Sequence, residues 1–260
     1  MRRVVLVLLT LGVVLTIGIP AGGYQDTPLK PNGYHVHDEF EPRPPEVTPG
    51  EKDHLPPSDA IVLFDGTSLD GWEHTNRKPD APKWRIVDGA LEVVDKAGTL
   101  QTKQKFGSMQ LHIEWRTPSV VKGNGQGRAN SGVFLMSTYE IQVLDSYNND
   151  TYPDGQAASV YGQKKPDVNA SRGPGQWQTY DIIFHRPIFK GPGQNEVLKP
   201  GTVTVIHNGV LVQDHWEIKG VTDHRRLASY RYHPDEMPIQ LQDHGNPVQF
   251  RNIWVRPLKD

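Results

Sequence analysis

The chain has 260 residues and is close to neutral, with 28 Lys and Arg against 30 Asp and Glu and a formal net charge of -2. Such a balance lacks the excess of positive charge that is typical of proteins that bind nucleic acid or an anionic membrane surface. The absence of cysteine excludes disulfides, thiolate metal sites and a cysteine nucleophile. The length suits one domain with tails, and the 25 glycines and 22 prolines are typical of short strands joined by turns.

Residues 1–23 have the pattern of a signal peptide for export. Arg2 and Arg3 precede an apolar run over residues 4–19, and the small residues 21–23 suit cleavage. The alternative is an uncleaved membrane anchor, which needs about 20 apolar residues, and the run is shorter than that. We therefore expect a periplasmic or secreted protein with no stable membrane anchor after cleavage.

Residues 24–57 have the composition of a proline-rich linker or tail. Eight prolines fall here among polar residues and few aliphatic ones. A segment of this kind cannot bury enough apolar surface to fold alone. The folded domain is therefore predicted to span residues 58–260.

The predicted domain is dominated by alternation of polar and apolar residues, which is the period of a β-strand. The alternation is clearest over residues 110–116, 139–144 and 238–242. Asp-Gly and Asn-Gly turn pairs separate further strand candidates. These candidates are residues 60–64, 84–87, 90–94, 132–136, 177–185, 202–207, 211–218 and 248–255. Together they predict an all-β fold, an antiparallel β-sandwich or jelly roll.

One long segment breaks the strand pattern. Residues 145–175 show no clear periodicity and are rich in Gly, Asn, Asp and Pro. A loop of this length inside a compact domain is usually functional.

Three of the predicted strands carry polar side chains on one face and apolar ones on the other. If these strands share a sheet, they form a floor of carboxylates, amides and imidazoles that suits a hydroxyl-rich ligand. The alternative is that they are the solvent face of ordinary antiparallel strands, and both interpretations stay open here. The polar residues are His112 and Glu114, Glu140 and Gln142, and Gln240, Gln242 and His244.

A set of motifs resembles the bacterial DUF1080 family, the 3-keto-disaccharide hydrolases. The opening block is LFDGTSLDGW at residues 63–72, and further blocks follow in the family's order, together covering about residues 60–258. The resemblance implies a concanavalin A-like jelly roll, export, and action on disaccharides or glycosides whose glucose carries a ketone at C3. The later blocks are WRIVDGAL at 84–91, NSGVF at 130–134, YEIQVLD at 139–145 and FRNI at 250–253.

The block around Glu140 also resembles the catalytic strand of family 16 glucanases, but with one departure. Gln142 stands where the glucanases have an acid, and the last acid is the shorter Asp145. A retaining glucanase needs two carboxyl groups about 5 Å apart, so this departure argues against ordinary glucanase chemistry. A C3 ketone makes the C2 hydrogen acidic, and elimination of the C1 substituent followed by hydration would need one base rather than two acids.

These arguments select a set of candidate site residues. Glu140 is the leading acid/base candidate, with His244 and Glu114 as further catalytic candidates. A divalent metal ion is a possible cofactor, although no diagnostic ligand spacing is present. The alternative function is a non-catalytic, lectin-like carbohydrate-binding protein. The predicted substrate-binding residues are Gln142, Gln242, His112, Asn130, Arg128, Asp145 and Arg172, the last of which is equally well explained as a surface arginine.

Overall fold

The computed structural model describes residues 26–75 and 82–260, so the signal predicted at residues 1–23 lies outside the described residues. The chain divides into two compact units, residues 1–46 and 47–260. The described part of the first unit consists of turns and extended chain with one isolated bridge between Leu29 and His35. Residues 47–57, assigned above to the linker, fall within the second unit. None of the helical segments in the described ranges is long and apolar enough to cross a membrane.

The described part of the second unit is built almost entirely of strands. The two helical segments found in these ranges are 3₁₀ turns at Gly125–Gly127 and Pro153–Gly155. The strands are β1 (Ile61–Phe64), β2 (Trp72–His74), β3 (Arg85–Val87), β4 (Ala90–Glu92), β5 (Leu100–Thr102), β6 (Met109–Arg116), β7 (Ser131–Leu135), β8 (Tyr139–Val143), β9 (Gln178–His185), β10 (Ile188–Phe189), β11 (Val197–Lys199), β12 (Thr202–His207), β13 (Val210–Glu217), β14 (Gln240–Leu241) and β15 (Gln249–Pro257).

Within the described ranges these strands form two main antiparallel sheets. The larger sheet has the order β13-β12-β9-β6-β15-β4-β3, with β1 paired to β15, and the smaller sheet has the order β2-β5-β14-β7-β8. One continuous apolar core contains residues from both sheets, so the sheets pack face to face. The predicted all-β class and antiparallel sandwich are confirmed, and the arrangement fits the concanavalin A-like jelly roll that the family resemblance implies.

Alternation along β8 positions the candidate site. Tyr139, Ile141 and Val143 point into the core, so Glu140 and Gln142 lie on the opposite face of the smaller sheet. A contact through the core also fixes this strand, because the buried hydroxyl of Tyr180 on β9 donates to the Gln142 carbonyl at 2.7 Å.

The three polar strands do not share one sheet, so the condition for a common polar floor is met by β8 and β14 but not by β6. β6 pairs with β9 and β15 in the larger sheet, whereas β8 and β14 belong to the smaller one. Leu111, Ile113 and Trp115 of β6 fill the core, which leaves His112 and Glu114 on the far face of the larger sheet.

His112 and Glu114 are nevertheless buried, because they belong to a polar cluster on that face. His112 Nδ1 lies 2.6 Å from Asp181 Oδ1, and Glu114 accepts hydrogen bonds from Arg251 Nε at 2.6 Å and Asn252 Nδ2 at 2.9 Å. Asn252 also donates to the His54 carbonyl at 2.8 Å. The cluster therefore attaches the segment before β1 to the larger sheet.

The pKa values of the cluster show that it favours charge. Burial alone would raise the pKa of Glu114, but hydrogen bonds from His112, Asn252 and Arg251 lower it to about 2. Burial alone would lower the pKa of His112, but hydrogen bonds to Asp181 and Glu114 raise it above its ordinary value. The charged forms of both groups are thus stabilised by the fold.

We expect Glu114→Gln to lower the unfolding free energy at pH 7 by on the order of 2 kcal/mol, because the neutral amide loses charge-assisted hydrogen bonds. The stabilisation from Glu114 is fully present above its ordinary pKa of 4.5 and is lost as the pH falls through its folded value of about 2. The difference between variant and wild type should therefore shrink over that window. Urea unfolding at a series of pH values measures it.

The matched control is Glu217→Gln, at the end of β13. Glu217 pairs with Lys219 at 2.8 Å, but both side chains are more than half exposed. An exposed pair of this kind contributes less than about 1 kcal/mol. Equal destabilisation by the two substitutions would contradict the role assigned to Glu114.

Candidate active site

A cavity of about 420 Å³ opens on the outer face of the smaller sheet. Strands β7 and β8 and the residues that flank β7 and β14 provide its floor, and loops form its rim. Five predicted site residues meet there, and six residues that were not predicted join them. The predicted ones are Glu140, Gln142, Gln242, His244 and Asn130, and the others are Gln126, Phe134, Tyr152, Tyr161, Thr222 and His224.

The other five predicted residues lie outside this cavity. Glu114 and His112 belong to the cluster on the larger sheet, so the prediction that Glu114 is catalytic and His112 binds substrate in one site with Glu140 does not fit the structure. Arg128 donates from Nε to Asp145 Oδ2 at 2.8 Å, and Arg128 also donates to two carbonyls of the following loop. This buried pair fixes the loop rather than lining the cavity. Arg172 donates to the Trp177 carbonyl at 2.8 Å, beside β9.

Glu140 is the acidic group of the cavity, and its carboxyl is almost completely buried, with 4% of the residue exposed. Burial raises the pKa of Glu140 to about 8. A carboxyl group that titrates close to neutral pH suits proton transfer better than an ordinary surface glutamate does.

The room for this carboxyl is made by a glycine on the neighbouring strand. Gly132 of β7 pairs with Gln142 of β8, and a Cβ atom at Gly132 would overlap the carboxyl oxygen Oε1 of Glu140. The backbone of Glu140 is fixed on both sides, because its N–H donates to Thr222 Oγ1 at 3.0 Å and its carbonyl accepts from Tyr161 N–H at 3.1 Å.

The Gln142 amide lies between Glu140 and Gln126. With its nitrogen turned toward Glu140, it donates to Glu140 Oε1 at 3.2 Å and to the Ser131 carbonyl at 2.8 Å. Turned the other way, the same nitrogen reaches Gln126 Oε1 at 3.0 Å. An ionised Glu140 favours the first orientation, since a carboxylate only accepts hydrogen bonds. The Gln142 nitrogen is therefore placed to donate to an ionised Glu140.

Gln242 offers the cavity an unused hydrogen-bonding group. Its Oε1 is buried and has no hydrogen-bond partner among the described residues. A buried polar atom of this kind is usually satisfied, and a ligand hydroxyl would satisfy it. Asn130, in contrast, is held in place by donating to the Gln126 carbonyl at 2.9 Å.

The long aperiodic loop contributes one wall of the cavity. Gln142 N–H donates to the Ser159 carbonyl at 3.0 Å, and Ala158 N–H donates to the Gln142 carbonyl at 2.9 Å. The loop thus covers the outer edge of β8, which would otherwise expose unpaired backbone groups. It also brings Tyr152 and Tyr161 to the rim, where their hydroxyls lie 2.7 Å apart.

Most of the cavity residues that sequence reasoning missed lie in loops without periodicity. Gln126, Tyr152, Tyr161, Thr222 and His224 follow no strand pattern. The signal that could have found Tyr152 and Tyr161 was the unusual length of the loop at 145–175. Phe134 was missed for another reason, since an aromatic residue in a strand more often indicates core.

The donor set was tested for a divalent metal ion. In residues 26–75 and 82–260, no three His, Asp or Glu side chains come close enough together to hold one. The cavity offers one carboxyl group among amides, phenols and the imidazoles of His224 and His244, which does not fit a hard-cation site built from several carboxylate and carbonyl oxygens.

Comparison with known proteins identifies the family. Residues 59–256 match the model of the 3-keto-alpha-glucoside-1,2-lyase-like domain. The chain belongs to this family. The match spans both sheets and the cavity, so the resemblance to DUF1080 proteins is confirmed.

Individual proteins similar to this chain agree with the family match. The chain is 27% identical over 241 residues to a 3-keto-disaccharide hydrolase of Bacteroides thetaiotaomicron, covering 76% of this chain and 78% of that protein. A Parabacteroides distasonis protein assigned as a glycosyl hydrolase shares 45% identity with a TM-score of 0.80, covering 89% of this chain and all of that one. Another from the same organism shares the fold at 18% identity and a TM-score of 0.54, over 77% of this chain and 94% of that one. The chain is thus similar to carbohydrate-active enzymes.

We expect Glu140 to titrate near pH 8, because its carboxyl is desolvated. Gly132→Ala should move that midpoint toward the ordinary value of 4.5, because the added methyl pushes the carboxyl out toward water. Carbon-13 NMR of labelled glutamate side chains, with the signal assigned through Glu140→Gln, measures both midpoints.

The control is Gly71→Ala, because a Cβ atom there meets only the Leu63 carbonyl at the ordinary distance of 3.9 Å. It should leave the Glu140 midpoint unchanged. A midpoint near 4.5 in the wild type would show that Glu140 is not desolvated.

Proposed function

We propose that this protein cleaves the glycosidic bond of 3-keto-glucosides or 3-keto-disaccharides by elimination followed by hydration. The observation that carries the proposal is the pair Glu140 and Gln142. Glu140 is the one carboxyl group among the described residues that line the cavity, and an amide stands where a second acid would be needed. A retaining glycosidase requires two carboxyl groups about 5 Å apart, and this cavity is built for a single base.

The ketone makes a single base sufficient. Glu140 takes the proton from C2, and the electron pair left behind is delocalised onto the C3 oxygen as an enolate. When that pair forms the C1=C2 double bond, the C1–O bond breaks and its electrons leave with the aglycone oxygen. Water then adds across the double bond, so the net reaction is hydrolysis.

The side-chain amides near Glu140 suit the groups that take part in this reaction. The Gln142 nitrogen donates to ionised Glu140 and so supports the base before it takes the proton. The unpartnered Gln242 Oε1 is available to accept a hydrogen bond from a sugar hydroxyl. The names of the family and of a relative agree with this chemistry. Elimination is the reaction of a lyase, as in the family name, and elimination followed by hydration gives the net reaction of a hydrolase, as in the relative's name.

A lectin-like, non-catalytic carbohydrate-binding protein is the second candidate. The amide-rich floor of the cavity favours it, because amides donate and accept toward sugar hydroxyls. The raised pKa of Glu140 favours the enzyme instead, since burying a carboxyl destabilises the fold and binding sugars does not require it.

Export is also part of the proposal, on the pattern of residues 1–23 alone. The mature protein recovered from cells is expected to begin close to residue 24. Intact-mass measurement tests this, and recovery of the whole 260-residue chain would contradict it.

The proposal is tested by comparing a 3-keto-glucoside with its parent glucoside. We expect cleavage of the keto compound alone, because the parent has no acidic C2 hydrogen. Glu140→Gln should reduce kcat on the keto compound by about 10²-fold or more, as is typical for loss of a general base. The same variant should bind the keto sugar with little change. Its stability relative to the wild type should rise as the pH increases from 4.5 to about 8, because over that range Glu140 is ionised in the unfolded wild type but stays protonated in the folded protein.

Glu73→Gln is the matched control, because Glu73 lies on β2 of the same sheet and outside the cavity. It should retain full activity. Unreduced cleavage by Glu140→Gln would refute the assignment of the base, and tight binding of keto sugars without cleavage by the wild type would favour the lectin-like function.

A further inference from the structure

A second cavity of about 600 Å³ adjoins the first and shares four lining residues with it. Gln126, Tyr152, Tyr161 and His224 line both cavities and form a partition between them. Beyond the partition the outer cavity continues along residues 225–227. A ligand that reaches from Glu140 into the outer cavity must therefore pass these four side chains.

The partition carries a connected set of groups that can donate protons. The Tyr152 and Tyr161 hydroxyls lie 2.7 Å apart, and the Tyr161 hydroxyl lies 3.1 Å from His224 Nδ1. The rings of Tyr161 and His224 are stacked, with centroids 6.4 Å apart. His224 is exposed, so the set connects the partition to solvent.

Tyr161 is also fixed relative to Glu140. Its N–H donates to the Glu140 carbonyl at 3.1 Å, as part of the loop that runs along the edge of β8. If the keto sugar lies over Glu140, the bond from C1 to the leaving group points to one of the walls, and the partition is the wall with space behind it.

We propose that the outer cavity holds the leaving group and that Tyr161 donates a proton to the glycosidic oxygen as the C1–O bond breaks. This inference rests on the proposed function. The electron pair of the C1–O bond stays on the departing oxygen, which takes the Tyr161 proton and leaves as an alcohol. The pair released from C2 forms the C1=C2 bond, and the Tyr161 phenolate regains a proton from solvent through His224.

The surroundings of the Tyr161 hydroxyl suit a group that protonates a poor leaving group. Burial, the hydrogen bond with Tyr152 and the charge on Glu140 all raise the pKa of Tyr161 above its ordinary value. Tyr161 is therefore fully protonated at neutral pH, before the reaction begins. A sugar or alkyl alkoxide is strongly basic, so even a weakly acidic phenol can protonate it as it departs.

The test compares two leaving groups with Tyr161→Phe. A 3-keto-glucoside of methanol or of a sugar needs the acid, whereas one of 4-nitrophenol does not, because nitrophenolate is stable. We expect kcat to fall by about 10²-fold on the first and by less than about threefold on the second. Exchange of the C2 hydrogen with heavy water, which depends on Glu140, should survive in the variant.

Tyr232→Phe is the matched control, since Tyr232 packs on Phe189 outside both cavities, and it should change neither rate. If Tyr161→Phe lowered kcat equally on both substrates, or on neither, the assignment of Tyr161 as the acid would be overturned. Failure of the wild type to cleave any 3-keto-glucoside would instead refute the proposed function itself.

The leaving-group cavity is tested with Arg225→Ala. Arg225 lines only the outer cavity. The ratio of KM for a 3-keto-disaccharide to KM for the methyl 3-keto-glucoside should rise about fivefold, because only the disaccharide reaches that far. An unchanged ratio for Arg225→Ala and for Leu227→Asp would show that the leaving group lies elsewhere.

Discussion

The desolvation of one carboxyl group is the constraint on which this site depends. Contact with water would lower the pKa of Glu140 toward its ordinary value. The site therefore depends on the neighbouring segments that bury this carboxyl group and hold it in place. Gly132 leaves the space, the loop over residues 157–161 covers the edge of β8, and Thr222 fixes the backbone from a separate loop. A buried acid lowers the stability of the fold, and the sandwich beneath it supplies that stability.

The two sheets divide these tasks. The smaller sheet presents polar residues outward and apolar ones to the core, and the Tyr180 hydroxyl fixes its edge strand by bonding to the Gln142 carbonyl. The larger sheet carries its own buried charges, but there they are paired. Glu114 is surrounded by donors and its pKa falls, whereas desolvation dominates at Glu140 and its pKa rises. The same residue type thus has a structural role on one sheet and a proposed chemical role on the other.

Alternation along the chain was sufficient to predict the strands and to place Glu140 and Gln142 on one face, because side-chain direction in a strand follows from position alone. It could not show which strands are neighbours, and for that reason Glu114 and His112 were grouped with Glu140 as site candidates although they lie on the other sheet. It also could not place Tyr161 or His224, since loops have no periodicity and their positions depend on contacts distant in sequence. Arg128 and Asp145 were predicted to bind substrate, but they pair with each other and hold a loop near the cavity. The sequence does not distinguish these two roles of a polar residue close to a site.

The proposed role of Glu140 is to remove the C2 proton of a 3-keto sugar. The most direct measurement compares kcat/KM for a 3-keto-glucoside with hydrogen at C2 and for the same compound with deuterium there. If Glu140 removes this proton, the deuterated compound should react several-fold more slowly, and label from heavy water should appear at C2 of the product no more slowly than cleavage. Equal rates for the two compounds, together with a product free of C2 label, would contradict it and indicate direct displacement at C1.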